Sequence, residues 1–200
     1  MSEDKKDGVS RRRFLFGGSL AVAATQLDCK IESPNGTNGH VLGPGKVAVV
    51  LRVNGQDKRV EIEPRATLAD ALRFDLGMTG TKVVCDRGAC SACTVWIDGV
   101  PVNSCTTFAL DAAGHSVTTI EGLAQNGALH PVQQAFVDHD ALQCGYCTPG
   151  MVMSCAALLA RNANPTLDDV RAATSGNLCR CGTYPKVFDA TLAAAKKGRA

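Results

Sequence analysis

Cysteine is the residue type with the clearest capacity for chemistry in this chain, because ten of its 200 residues are cysteine. Eight of the ten fall into two compact sets. The first set is Cys85, Cys90, Cys93 and Cys105, and the second set is Cys144, Cys147, Cys179 and Cys181. Thiols that lie this close in sequence can form disulfides, bind a zinc ion or hold an iron–sulfur cluster.

The first set has the spacing C-x4-C-x2-C, with its fourth cysteine after eleven intervening residues. This is the plant-type [2Fe–2S] spacing, in which one loop wraps the cluster and the fourth sulfur comes from a neighbouring hairpin. Small residues at 88, 89, 91 and 92 let backbone N–H groups approach the sulfurs. Zinc sites more often use two close pairs, and disulfides within so tight a loop would be strained or leave one thiol over. A cluster is favoured, and zinc and disulfides stay as alternatives.

The second set combines a C-x2-C pair with a C-x-C pair. Redox motifs and zinc knuckles share C-x2-C, but the two pairs together supply four ligands. Two predicted helices fill the gap between the pairs, so the pairs can meet at one end of a helical hairpin. Cys147 immediately precedes a predicted helix, whose macrodipole favours negative charge there by about 0.3–1 kcal/mol. Arg180 and Lys186 either add positive charge nearby or are ordinary solvated residues.

The first set is predicted to lie in a small α+β domain over residues 46–122. A β-hairpin with its turn at Asn54-Gly55 comes first, and a helix over 67–76 follows. Two strands then flank a second turn at Asp98-Gly99, and a last short strand spans 117–120. The cysteine loop therefore lies between a helix and a hairpin.

Residues 123–200 change character and predict an all-α domain of four helices. The helices begin near His130-Pro131, Thr148-Pro149, Thr166 and Pro185. Helices this short depend on tertiary packing. Cys155 and the nearby Met151 and Met153 lie in the apolar second helix, and we expect all three to be core residues.

Residues 1–28 resemble a twin-arginine export signal, since Ser10-Arg11-Arg12-Arg13-Phe14-Leu15 opens a moderate apolar run and Ala21-Val22-Ala23 offers a cleavage site. That route exports folded proteins with their cofactors in place, which predicts a periplasmic location. A disordered basic arm is the alternative. Residues 29–45 are rich in Gly, Pro and Asn and predict a linker. Cys29 lacks the preceding small residues that a lipid anchor requires.

Composition and absent motifs exclude several functions. A formal net charge of +2 and an aromatic content of 4% argue against nucleic-acid binding. The N-terminal apolar run is shorter than a comfortable membrane span of about 20 residues, so no stable span is expected. The sequence contains no P-loop, H-E-x-x-H or G-x-S-x-G motif. No catalytic residue is therefore predicted in this chain.

Three motifs together resemble the iron–sulfur subunit of the molybdenum hydroxylases, a group that includes xanthine dehydrogenases, carbon monoxide dehydrogenase and aldehyde oxidoreductases. They are the loop from Val84-Cys85 to Cys93, QCGYCTPG at 143–150 and SGNLCRCGTYP at 175–185. The resemblance covers about residues 46–195. It implies a β-grasp plant-type ferredoxin domain followed by an all-α four-helix domain, each holding one [2Fe–2S] cluster on its set of four cysteines.

The resemblance also implies partners. A large subunit would carry a molybdenum–pterin cofactor in its cytosine dinucleotide form, and two clusters would pass its electrons singly to a flavin in an FAD subunit or to a cytochrome. The helical-domain cluster lies nearer the pterin in this family, which implies that Gln143 and Cys181 contact the pterin. A freestanding two-cluster carrier and a zinc-stabilised interaction module are the alternative functions.

Two positions depart from the family pattern. Val84 and Ser91 stand where the family usually has glycine, so loop geometry or reduction potential at the first cluster is expected to differ. The export signal is similar to that of periplasmic aldehyde oxidoreductases and favours an aldehyde as the substrate of the complex. N-heterocycles and purines remain open.

Overall fold

The computed structural model describes residues 42–197, and the fold begins with a β-hairpin. Strand β1 (Val47–Val53) pairs antiparallel with β2 (Gln56–Ile62). Asn54 and Gly55 both have positive φ, 52° and 78°, as a two-residue type I′ turn requires. The predicted hairpin is confirmed.

The hairpin is part of a five-stranded sheet. Strands β3 (Thr94–Ile97) and β4 (Val100–Asn103) form a second antiparallel hairpin, and β5 (Ser116–Thr118) lies between β1 and β3. The strand order is β2-β1-β5-β3-β4. Strand β5 runs parallel to β1 and antiparallel to β3. It is displaced from the predicted strand 117–120, because the chain turns into a 3-10 helix at Ile120–Gly122.

One short helix packs on this sheet, which gives the β-grasp arrangement. Helix α1 (Leu68–Asp70) begins at the predicted cap, where the Thr67 hydroxyl accepts the N–H of Asp70 at 3.1 Å. It continues as a π-helical turn at Ala71–Asp75 and ends before Gly77, whose φ is 66°. The sequence predicted the length of this helix but gave no signal for its π-type hydrogen bonds.

The rest of the described chain contains four helices, as predicted. They are α2 (Pro131–Asp138), α3 (Thr148–Arg161), α4 (Leu167–Thr174) and α5 (Tyr184–Lys197). Thr166 caps α4 in a capping box with Asp169. The Thr148-Pro149 pattern favours Thr148 as the N-cap of α3. In the structure the helix begins one residue earlier, and Cys147 holds the N-cap position. A ligand candidate therefore occupies the first position of this helix terminus.

The helical half has its own core, in which Met151, Met153 and Cys155 are fully buried. This placement confirms the expectation that the three are core residues. Burial raises the pKa of Cys155 to about 11, so its thiol stays protonated at neutral pH. The indole of Trp96 on β3 donates to the Met153 carbonyl at 3.0 Å and joins the two cores.

The sheet and the helical half touch most closely at Gly150, near the start of α3. A Cβ at Gly150 would lie 2.2 Å from the carbonyl oxygen of Ser91 and 3.0 Å from Ala92 Cα. Both contacts are with backbone, which cannot rotate away. Only glycine fits at this position.

We expect Gly150→Ala to destabilise the protein. Helix propensity alone would make alanine more stable by about 1 kcal/mol, but overpacking against backbone costs about 1–3 kcal/mol. Denaturant titration measures the balance. Gly45→Ala is the control, because its Cβ would meet nothing within 4 Å. A Gly150→Ala variant more stable than the wild type would contradict this account of the junction.

The cap of α2 predicts a pH-dependent stability. His130 Nδ1 accepts the N–H of Val132 at 3.2 Å, and burial lowers the His130 pKa. His130 therefore binds a proton more readily in the unfolded chain, where its pKa is about 6.5, than in the folded protein. We expect the free energy of unfolding to fall as pH drops through that value toward the lower folded pKa, and to fall less in His130→Asn, which caps without titrating. Equal slopes in wild type and His130→Asn, with exposed His139→Asn as control, would exclude this role.

Candidate metal centres

The first set lies on a tightly curled loop between α1 and β3. Cys90, Cys93 and Cys105 are buried, and Cys85 is half-buried. The loop bends through left-handed backbone at Asp86 (φ 53°), Gly88 (φ 70°) and Ser91 (φ 52°). Cys105 arrives from a 3-10 turn that follows β4. This is the predicted arrangement of one loop with a fourth thiol from the neighbouring hairpin.

Backbone N–H groups of this loop point at the sulfurs. Ala89 N–H donates to Cys85 Sγ and Gly88 N–H to Cys105 Sγ, both at 3.3 Å. Hydrogen bonds led by the Arg87 N–H lower the pKa of Cys85 to about 7. The side chain of Arg87 is exposed, and its backbone N–H makes the stabilising contact with Cys85.

The second set gathers where the start of α3 meets the loop before α5. Cys144 is exposed, and Cys147, Cys179 and Cys181 are half-buried. Burial raises the pKa of Cys147 to about 12, and the neighbouring thiols of Cys179 and Cys144 add to this effect. The structure thus brings the C-x2-C and C-x-C pairs together at one end of the helices, as the sequence predicted.

The thiols approach one another in pairs. Cys90 affects the pKa of Cys85, Cys93 that of Cys105, and Cys179 that of Cys147, so the members of each pair lie near one another. Within residues 42–197, no three His, Cys, Asp or Glu side chains converge on one point that could hold a single metal ion. A zinc ion takes its four ligands at a single centre, and a [2Fe–2S] cluster takes two thiolates on each of two irons.

The donor chemistry also fits a cluster. All nine cysteines of the described range are free thiols, so disulfides do not use up the ligands. Thiolates suit iron–sulfur clusters, and backbone N–H groups aimed at them offset the cluster's negative charge. These residues can hold a [2Fe–2S] cluster at each set.

The two sets contact each other directly through backbone. The N–H of Leu178, which precedes Cys179, donates to the carbonyl of Cys90 at 3.0 Å. The Asn177 side chain donates to the Ser91 carbonyl, also at 3.0 Å. A ligand loop of one set is therefore hydrogen-bonded to a ligand loop of the other.

The structure explains one departure from the family pattern and locates the other. Ser91 has left-handed backbone, a conformation that glycine adopts without strain and serine adopts at a cost. The backbone of Val84 lies outside that region, so a branched side chain is tolerated there. The Val84 side chain is 57% exposed beside Cys85.

Three large apolar side chains are exposed around the second set, beside the exposed Gln143 and Arg180. Leu142, Tyr146 and Leu178 are exposed there, by 37%, 52% and 57%. Gln143 is exposed beside Cys144, so it is accessible to a group outside this chain. The pterin contact predicted for Gln143 and Cys181 stays a prediction.

Sequence reasoning missed two hydroxyl groups beside the second set. Thr183 Oγ1 lies 3.2 Å from Cys179 Sγ. Tyr184 OH accepts the N–H of Cys179 at 2.8 Å and donates to the Asn177 carbonyl at 3.0 Å. Both residues belong to the motif quoted above, and their hydroxyl chemistry so close to a ligand was the available signal.

One sizeable cavity lies away from both sets. It encloses about 600 Å³ between the sheet and the helices and is lined by residues such as Trp96, His130 and Leu159. None of the eight cysteines lines it. No helix between residues 42 and 197 is both long and apolar enough to cross a membrane.

Two family models match the chain, in agreement with the two halves of the structure. Residues 51–119 match a 2Fe-2S iron-sulfur cluster binding domain, and residues 119–192 match a [2Fe-2S] binding domain. The domain boundary at 122/123 stays a prediction, since the described residues form one compact unit.

Curated relatives and solved structures agree with these models. The nicotine 6-hydroxylase small subunit of Paenarthrobacter nicotinovorans is 47% identical over 74% of this chain and 88% of its own length. The aldehyde oxidoreductase iron-sulfur-binding subunit PaoA of Escherichia coli K12 is 41% identical over 90% of this chain and 85% of its own. A chain of quinoline 2-oxidoreductase from Pseudomonas putida 86 superposes with a TM-score of 0.74 at 45% identity, over 77% of this chain and 96% of that one. The chain belongs to the family of [2Fe–2S] iron–sulfur small subunits of the molybdenum hydroxylases.

Proposed function

We propose that this chain relays electrons from the molybdenum–pterin site of a large partner subunit, through two [2Fe–2S] clusters, to a flavin or cytochrome acceptor. The observation that carries the proposal is the direct hydrogen bond from Leu178 to the Cys90 carbonyl. The path from Cys90 in one set to Cys179 in the other therefore crosses only one hydrogen bond and a few covalent bonds. A freestanding carrier would need no docking face.

All eight cysteines are the proposed ligands. Cys85 with Cys90, and Cys93 with Cys105, each approach as a pair suited to one iron of the first cluster. Each cluster supplies one-electron redox chemistry when bound. The loop N–H groups then offset the charge that an arriving electron adds.

The exposed surface around the second set is the proposed docking face for the large subunit. Its exposed side chains, Leu142, Tyr146 and Leu178, are of the kinds found in the buried centres of protein interfaces. Gln143 and Cys181 would meet the pterin, as a cytosine dinucleotide, at this face. Electrons would leave through the first set beside Val84, toward an FAD subunit or a cytochrome.

Export and substrate form the remaining part of the proposal. The twin-arginine segment at 1–28 lies outside the described residues. The match to PaoA spans 90% of this chain, so it extends into the first 41 residues, which supports a shared N-terminal segment. The proposed periplasmic location rests on the twin-arginine pattern of residues 10–15. The name of PaoA supports an aldehyde as the substrate of the complex, whereas nicotine 6-hydroxylase and quinoline 2-oxidoreductase support an N-heterocycle. We propose that the substrate site lies in the partner.

Removal of one ligand tests the cysteine assignment. We expect Cys105→Ser to lose only the first cluster and Cys179→Ser only the second, so that each retains about half of the iron, because each set is built by its own loop. Cys155→Ala is the control and should keep all the iron, since its buried thiol lies outside both sets. Iron analysis with electron paramagnetic resonance (EPR) of the reduced protein makes the measurement. Full iron in Cys105→Ser, or zinc in place of iron, would contradict the assignment.

A charge on the proposed docking face tests the partner. Leu178→Glu should weaken binding to the molybdenum subunit about tenfold or more, because it puts a carboxylate into an apolar interface. Val100→Glu is the matched control and should bind like the wild type, because Val100 is nearly as exposed, 58%, but lies at the start of β4, outside the proposed face. Binding is measured by co-purification and by titration of one subunit into the other. If both variants bind like the wild type, the face is wrongly placed.

A further inference from the structure

We propose that the Thr183 hydroxyl raises the reduction potential of the cluster on the second set by donating a hydrogen bond to the sulfur of Cys179. Thr183 Oγ1 lies 3.2 Å from Cys179 Sγ, within hydrogen-bond range for sulfur. The Thr183 side chain is 4% exposed, so water does not compete strongly for this hydrogen bond. The inference rests on the proposed function, since it assumes that Cys179 is a ligand.

The ligand chemistry fixes the direction of this hydrogen bond. A free thiol and a hydroxyl could each donate, but iron is bound by the thiolate, which has no hydrogen to give. The hydroxyl must then be the donor. Burial opposes ionisation of Cys179, but hydrogen bonds from the side chain and backbone of Thr183 help to outweigh it and lower its pKa to about 7.

The two sets differ in the kind of donor that reaches their sulfurs. In the first set, the non-cysteine donors to Cys85 and Cys105 are backbone N–H groups of residues 87, 88 and 89. Among the eight cysteine ligands within residues 42–197, Cys179 is the one whose sulfur contacts a side-chain hydroxyl. A backbone donor is present whatever the sequence, whereas Thr183 makes the potential of the second cluster depend on one side chain.

The local fold holds Thr183 in place. Gly182, with φ 78°, turns the chain after Cys181, and the Thr183 carbonyl accepts the first helical N–H of α5, from Val187, at 3.1 Å. A threonine in this position would ordinarily cap its helix. Its hydroxyl contacts the sulfur instead, so the residue serves the ligand loop.

The sign of the effect follows from charge. Reduction adds an electron to the cluster, so a donor to its thiolate stabilises the reduced state more than the oxidised state. Loss of the hydroxyl should therefore lower the potential of the second cluster and leave that of the first unchanged. A lower potential at the cluster nearer the pterin would also make it a poorer acceptor from the molybdenum site.

Thr183→Val removes the hydroxyl with little change of shape, and Thr183→Ser keeps the hydroxyl but loses the methyl group. Thr166→Val is the matched control, because it removes a true capping hydroxyl at the start of α4, where the Thr166 side chain accepts the N–H of Asp169. The readout is the midpoint potential of each cluster in the full-length holoprotein, from redox titration followed by EPR. We expect a negative shift of the second cluster in Thr183→Val, wild-type values in Thr183→Ser, and unchanged potentials in Thr166→Val.

A second measurement keeps the inference testable if Thr183→Val fails to fold. Wild type and Thr183→Ser should each show one more D₂O-exchangeable proton coupling at the reduced second cluster than Thr183→Ala, because the backbone N–H groups near Cys179 exchange in all three proteins. Unshifted potentials in a loaded Thr183→Val, or no such additional coupling in wild type, would overturn the inference and leave the relay intact. A wild-type protein with no reducible second cluster would instead overturn the proposed function.

Discussion

The cost of ionising buried and crowded thiols is the constraint on which both cysteine sets depend. Burial and the nearby Cys93 and Cys85 raise the pKa of Cys105 to about 12, and Cys147 is affected in the same way by Cys179 and Cys144. A bound metal removes this penalty, because it takes the thiolate form outright. The fold prepares for that state with backbone N–H donors at Cys85, and with the Thr183 hydroxyl and backbone N–H donors at Cys179, and the pKa values of these two thiols fall to about 7. The sulfur positions are thus built for a positive centre.

The same loops also determine how the two halves meet. The Ser91 carbonyl accepts hydrogen bonds from the Asn177 amide at 3.0 Å and from the Thr94 hydroxyl at 2.7 Å, and it lies against Gly150. Left-handed backbone at a non-glycine residue costs on the order of 1 kcal/mol. That strain is sustained because the carbonyl is held from both sides. The cysteine loops therefore form part of the junction between the sheet and the helices, together with Trp96, and their hydrogen bonds help to set the relative position of the two sets.

The sequence predicted the architecture and the candidate ligands more completely than it predicted the contacts among them. Asn54-Gly55, Thr67 and Thr166 act through local turn and cap chemistry, which is written in a few adjacent residues. The bond from Leu178 to Cys90 joins residues far apart in the chain, and local patterns carry no signal for it. The same holds for the fit of Gly150 against Ser91. The role of Thr183 depends on which way a hydroxyl turns at a helix start, and threonine there normally predicts a cap.

The cluster count is the central claim, and spin quantitation tests it most directly. Full-length protein, reduced with dithionite and examined by EPR at low temperature, should give two distinct signals, each of about one unpaired electron per chain. Serine replacement of one ligand in each set then assigns each signal to its half of the molecule. A single signal, or a colourless protein that contains zinc and has no paramagnetic reduced state, would contradict the account.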